Sequence, residues 1–120
     1  MFSYELIEEL KKAKELKTDA EVMAFFDGMN SGNMSNIKKG NRSLKNEQAL
    51  FIADECGLNP EWVLVQLEEE KALRLNAKRE ADIWHNIAKK ISKSVTAAAL
   101  ALIVIFGGLS VKDQQSPSFG

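Results

Sequence analysis

The sequence predicts an all-α protein with a five-helix helix-turn-helix domain, a long amphipathic helix and a single C-terminal transmembrane helix. Apolar residues recur every three or four positions, and no segment alternates apolar and polar residues as a strand would. Short stretches with Gly, Asn or Pro separate the segments. Near the C-terminus, 17 consecutive residues carry no charge. These features divide the chain into residues 1–59, 60–93, 94–111 and a disordered tail, 112–120.

The first two segments have the pattern of amphipathic helices. Residues 3–17 place apolar side chains at helical spacing, namely Leu6, Ile7, Leu10 and Ala13. Thr18 and Glu21 have the spacing of a capping box, so Thr18 is expected to cap a second helix. Gly28 ends that helix early and begins a turn.

A short third helix is predicted from Ser31 to Lys39. Asn30 is a favourable N-cap and Gly40 a favourable stop. Met34 and Ile37 lie three positions apart and share a face, which is expected to join the core.

The third helix lies in a cationic window. No acidic residue occurs between Gly28 and Asn46, although the window contains Lys38, Lys39, Arg42 and Lys45. A helix with small polar residues on one face and a basic end suits the major groove of DNA.

Two further helices are predicted after this window. Ser43 is expected to cap a fourth helix, Leu44 to Cys56, which Gly57 ends. Asn59 and Pro60 then begin a helix that continues to residue 93.

This long helix carries an apolar stripe formed by Leu73, Ala77, Ala81, Trp84, Ile87, Ala88 and Ile91. The stripe could pair with a second copy as a coiled coil, giving a homodimer. It could equally pack back on the helical domain or lie in a membrane interface.

Residues 18–64 resemble the helix-turn-helix of the lambda Cro and repressor family. The resemblance depends on Ala24, Gly28, Met29, Asn30, Met34, Ser35, Asn36, Ile37, Lys38, Gly40, Ala49, Leu50, Ile52, Ala53, Gly57, Leu58, Pro60, Glu61, Trp62 and Val63. The spacing from Met29 to Ile37 is the family's own. Two positions depart from the pattern, since Asp27 replaces a usual Leu and Gly32 a frequent base-reading residue.

The resemblance implies a set of DNA contacts. The base-reading residues would be Ser31, Asn33, Ser35 and Asn36, with Asn36 the best candidate for contacting adenine. The phosphate-binding residues would be Thr18, Lys38, Lys39, Arg42 and Lys45. The alternative is that these side chains form an ordinary solvated surface.

Residues 95–111 are predicted to span a membrane. At 1.5 Å per residue they would extend about 25 Å as a helix, at the short end of what a span needs. Lys89, Lys90 and Lys93 precede the segment and only Lys112 follows it. The positive-inside rule therefore predicts a single-pass protein with a cytoplasmic N-terminal domain. The resemblance to phage and bacterial regulators implies that the membrane is the bacterial inner membrane. The alternative is a buried helix of a soluble core.

The sequence offers little for catalysis. His85 and Cys56 are the only histidine and cysteine, and neither has a partner arrangement for nucleophilic or metal chemistry. Glu68, Glu69 and Glu70 are most simply a solvated face. We therefore expect no enzymatic activity, no cofactor and no metal.

Two functions are consistent with this pattern. The first is a membrane-tethered, phage-related transcriptional regulator that binds double-stranded DNA as a homodimer. The second is a membrane-anchored module that uses the same fold to bind a protein partner. Residues 1–59 carry 8 basic and 10 acidic side chains, which favours the second.

Overall fold

The computed structural model describes residues 1–95, which form six α-helices. They are α1 (Phe2–Lys14), α2 (Asp19–Met23), α3 (Ser31–Lys39), α4 (Asn46–Cys56), α5 (Pro60–Arg74) and α6 (Lys78–Ala88). The predicted all-α class is thus confirmed for residues 1–95. Within that range, no helix is long and apolar enough to cross a membrane. The predicted span, from residue 96 onward, and the predicted tail lie outside the described residues.

α1 is the central helix of the domain and contacts α2, α3, α4 and α5. It lies alongside α4 and runs in the same direction. The Leu44 N–H donates to Ser3 Oγ at 3.0 Å near one end, and Lys14 pairs with Glu55 near the other. The enclosed core is formed by Leu6, Ile7, Leu10, Val22, Phe26, Met34, Ile37, Leu44, Ala49, Ile52, Ala53, Leu58, Val63 and Leu67.

α3 has the predicted bounds and caps. The Asn33 N–H donates to Asn30 Oδ1 at 2.8 Å, which satisfies one of the free amides at the helix start. Gly40 ends the helix with φ of 82°. A Cβ at this residue would lie 2.9 Å from Met1 Cγ, so both the backbone conformation and the space favour glycine.

The predicted cap of α4 is wrong. The helix begins at Asn46 rather than Leu44, and Gln48 Oε1 accepts from the Lys45 N–H at 2.9 Å. Ser43 does not cap it because its hydroxyl donates to Glu70 at 2.5 Å and accepts from Arg74 at 2.6 Å.

The predicted single helix over 60–93 is also wrong. The chain turns between Arg74 and Lys78, where Asn76 has a left-handed φ of 58°. Asparagine tolerates this conformation better than most residues, so the turn needs no glycine. α6 folds back on α5 as an antiparallel hairpin, with Ala72, Ala81 and Ala88 buried. Part of the predicted dimerisation stripe is therefore covered within one chain.

The end of the hairpin is tied to the corner between α4 and α5. The Asn59 N–H donates to the Lys93 carbonyl at 2.9 Å, and the Val95 N–H donates to the Gly57 carbonyl at 3.0 Å. Residues up to Val95 are thus bonded to the helical domain.

Glu70 forms a buried polar junction between distant parts of the chain. Its side chain is 3% exposed, so its prediction as part of a solvated face is wrong. The Ser3 N–H and Ser3 hydroxyl each donate to the carboxylate at 2.6 Å, and the Ser43 hydroxyl also donates. A carboxylate at this position is favourable because it accepts from a free amide at the start of α1 and faces the positive end of its dipole.

Candidate nucleic-acid interface

α3 presents a polar face to solvent. Met34 and Ile37 are 2% and 1% exposed and attach the helix to the core. The other residues of α3 apart from Asn33 are exposed, and among them are the predicted base-reading residues Ser31, Ser35 and Asn36. These three side chains are therefore available to a ligand.

The fourth predicted base-reading residue, Asn33, is held against the preceding turn. It is half-buried, and its Nδ2 lies 3.3 Å from the Gly28 carbonyl, to which it donates. It also lines a small cleft with Asp27, Arg42, Lys45 and Gln48. Asn33 thus stabilises the turn, and its amide is less available than that of Asn36.

Gly32 occupies an exposed position at the start of the helix. A Cβ built there would lie 3.3 Å from Asn30 Oδ1, and no other atom comes within 4 Å. A larger side chain at this position would therefore require Asn30 Oδ1, the oxygen that caps the helix, to move by a few tenths of an ångström.

The cations of the window differ in their environment. Lys39 is the last residue of α3, and Arg42 and Lys45 follow the helix. All three side chains are exposed. Lys38 is instead engaged within the domain, where its Nζ lies 3.3 Å from an Asp19 oxygen and 5.7 Å from the centre of the Tyr4 ring. Within residues 1–95, Lys38 is the only one of the cations predicted to bind phosphate that forms an ion pair, and DNA binding would have to break that pair.

Asp19 is shared by two lysines. Its other oxygen lies 2.7 Å from Lys11 Nζ, and this contact, followed by that with Lys38, lowers the pKa of the carboxyl group. The same contact raises the pKa of Lys11. The cluster connects α1, α2 and α3, so it helps to set the position of α3 on the domain.

Thr18 caps α2 as predicted, but its surroundings are acidic. Glu21 Oε1 accepts from the backbone N–H groups of Lys17 and Thr18 at 2.7 and 2.9 Å, and these bonds lower the pKa of Glu21. The carboxylate therefore occupies the amides that a phosphate would need, which makes Thr18 a poor phosphate contact.

Sequence reasoning did not predict an aromatic cluster that is centred on Phe51 and joins the end of α2 to α4. The ring centroid of Phe51 lies 5.5 Å from that of Phe26 and 5.9 Å from that of Phe25. Phe26 is buried, whereas Phe25 is 41% exposed. Phe51 thus joins α4 to the end of α2 and supports an exposed aromatic side chain.

The other reactive side chains have structural surroundings. Burial raises the pKa of the Cys56 thiol, which disfavours the reactive thiolate. His85 Nδ1 lies 3.1 Å from Glu69 Oε2 and links the two helices of the hairpin. Across residues 1–95, no group of three or more His, Cys, Asp or Glu side chains could hold a metal ion.

Comparison with family models, with curated proteins and with solved structures finds no match.

Proposed function

We propose that this protein is a membrane-tethered regulator that binds double-stranded DNA through the exposed face of α3. The observation that carries the proposal is that Met34 and Ile37 attach α3 to the core while its outer face is polar and free of acidic residues. Three exposed cations, Lys39, Arg42 and Lys45, lie at or beyond its C-terminal end. Such a helix can enter the major groove while flanking cations contact phosphates.

Each side chain has a distinct role in this proposal. The amide of Asn36 can donate to and accept from one adenine, and Ser31 and Ser35 can bond to more than one base. Lys39, Arg42 and Lys45 bind phosphates. Lys38 and Thr18 contribute little, because Asp19 and Glu21 already occupy the groups that would be used.

Pairing of two copies is part of the proposal because a two-fold operator presents two half-sites. It does not depend on a long coiled coil, since α6 packs on α5 of the same chain. Tethering through residues 95–111 would instead raise the effective concentration of copies on one membrane surface.

The test uses the full chain in detergent micelles and selects bound sequences from a randomised duplex pool at about 100 mM salt. Asn36→Ala is expected to reduce sequence preference. Lys39→Ala with Arg42→Ala is expected to weaken binding to all sequences and to lower the salt slope by about 2.

The matched control removes two exposed cations elsewhere, Lys12 and Lys78, by Lys12→Ala with Lys78→Ala. It should leave the DNA affinity nearly unchanged. Absence of binding by the unmodified chain even at low salt would contradict the proposal.

A second candidate function is binding of a protein partner, favoured by the exposed aromatic ring of Phe25 beside Phe51. Large aromatic side chains are enriched at protein interfaces. Under this alternative, Phe25→Ser abolishes capture of a defined partner, whereas Leu75→Ser, which changes a 74% exposed residue on the hairpin, does not. Asn36→Ala would then change neither the binding of that partner nor the binding of DNA.

A further inference from the structure

The outward face of α6 carries apolar and charged side chains, and the exposed acidic residue Glu80 lies on the same side, three positions before Ile83. Ile83 and Ile87 are 47% and 36% exposed, and they lie four positions apart on one side of the helix. Arg79 and Lys90, both exposed, extend the same face in the two directions. We call these four residues the outer stripe.

The charge of α6 is distributed unevenly along its length. Its acidic residues, Glu80 and Asp82, lie in the first half, and Asp82 pairs with Lys78 at 3.4 Å. Between residues 83 and 95 there are three lysines and no acidic residue. The positive charge is therefore concentrated where the chain leaves the hairpin.

This cationic end lies where the uncharged segment begins. Val95, the first residue of that segment, is hydrogen-bonded to Gly57 at 3.0 Å. The Nζ of Lys93 lies 5.4 Å from the centre of the Trp62 ring. The end of α6 and the start of residues 95–111 thus meet on one corner of the domain.

We propose that the outer stripe of α6 lies on an anionic lipid bilayer. Ile83 and Ile87 would enter the headgroup region, as the apolar face of an interfacial helix does. Arg79 and Lys90, the two basic residues of the stripe, would contact anionic headgroups. This inference rests on the proposed membrane tether.

The proposal fixes the orientation of the domain on the membrane. α6 packs on α5, whereas α3 packs on α1 and α2. With α6 on the bilayer, the central helices separate the lipid surface from α3, whose polar face remains in water and can reach DNA.

The test places nitroxide labels on single cysteines in the full chain, with Cys56→Ala as background. The protein is incorporated in vesicles of phosphatidylcholine and phosphatidylglycerol. A label at Ile87→Cys is expected to collide with oxygen and to be protected from a water-soluble nickel complex. The matched label at Asp82→Cys, on another face of α6, and one at Ser35→Cys on α3 should both remain accessible to nickel.

A second variant tests the charge component. Arg79→Gln and Lys90→Gln together should increase nickel access at position 87, as should vesicles of phosphatidylcholine alone. No change in either case would overturn the assignment of anionic headgroups as the ligand.

The remaining outcomes distinguish the two proposals. If the chain floats with vesicles but the label at 87 is as accessible to nickel as that at 82, the tether stands and the lipid contact of α6 is wrong. If the chain does not float, the tether is wrong and the lipid contact falls with it. If the label at 87 is protected from both oxygen and nickel and its spectrum shows spin–spin broadening, a second copy covers the stripe. That outcome would overturn the proposal.

Discussion

α3 and α6 are two helices of similar length that use their surfaces differently. Both bury one face against neighbouring helices of the domain. α3 contributes Met34 and Ile37 to the core and leaves serine and asparagine outside. α6 buries Ala81 and Ala88 and leaves isoleucine outside.

The difference suits the two ligands proposed above, DNA for α3 and a lipid surface for α6. Uncharged polar groups on α3 can exchange hydrogen bonds with base edges, whereas isoleucines on α6 gain free energy only by leaving water. Lysines lie near both faces, and phosphate is common to the two proposed ligands, DNA and lipid headgroups. We infer that the uncharged residues, rather than the cations, determine which ligand each helix accepts.

The largest expected effect concerns the junction that holds the scaffold between these helices. Glu70→Gln removes a charge that accepts three hydrogen bonds and places an NH₂ group among donors. We expect the free energy of unfolding to fall by about 1–3 kcal/mol, measured by urea denaturation of the full chain followed by circular dichroism.

The matched control is Glu68→Gln, whose partly exposed side chain pairs with Lys71 at 3.4 Å. An exposed pair contributes below about 1 kcal/mol, so this variant should unfold close to the unmodified chain. Equal losses from both substitutions would contradict the role given to Glu70.

The next effect separates the two ends of α3. Gly40→Ala forces a left-handed conformation on an L-residue and should destabilise the domain by about 1–2 kcal/mol. Gly32→Ala lies within the helix, where alanine is favoured by up to about 1 kcal/mol, and should not destabilise it. Thermal unfolding of both variants measures the contrast, and a similar loss from each would refute it.

A smaller effect is expected between adjacent lysines. Lys39→Ala should lower the salt slope of DNA binding by about 1, whereas Lys38→Ala should change it less because Lys38 already pairs with Asp19. Fluorescence anisotropy over a salt series measures both slopes. A larger change from Lys38→Ala would reverse the assignment.

The smallest effect is a dependence of stability on pH. The pKa of Asp19 is lowered in the folded state, which stabilises that state at pH values above about 3.9, the ordinary pKa of an aspartate. This stabilisation is lost as the pH falls through the lowered pKa of the folded state. Asp19→Asn should therefore be less stable than the unmodified chain at pH 7, and the difference should shrink below about pH 4. The control Asp54→Asn, at an exposed residue, should leave the free energy of unfolding at pH 7 nearly unchanged.

Local signals in the sequence were sufficient to predict α3. Asn30 and Gly40 act within one turn of the helix ends, so its bounds and caps could be inferred from neighbours alone. The turn at Asn76 also depends on local sequence. It was not predicted because no Gly or Pro marks it and because the apolar residues continue at helical spacing on both sides of it.

Glu70 shows why the rest could not be predicted. Its environment depends on Ser3, 67 positions away, and on Ser43, 27 positions away. Such proximity exists only after the helices pack, and the same contacts divert Ser43 from its predicted cap. The engagement of Lys38 by Asp19 has the same origin. Sequence therefore predicts which side chains belong to the candidate site, while packing decides which of them are free to bind.

The most direct measurement is flotation of labelled duplex DNA with vesicles that carry the full chain. We predict that DNA floats with the unmodified protein and stays behind with the double variant Lys39→Ala and Arg42→Ala, while the protein itself floats in both cases. If the unmodified protein floats at low salt but the DNA stays behind, this result would contradict the claim that one domain binds DNA while tethered to a membrane.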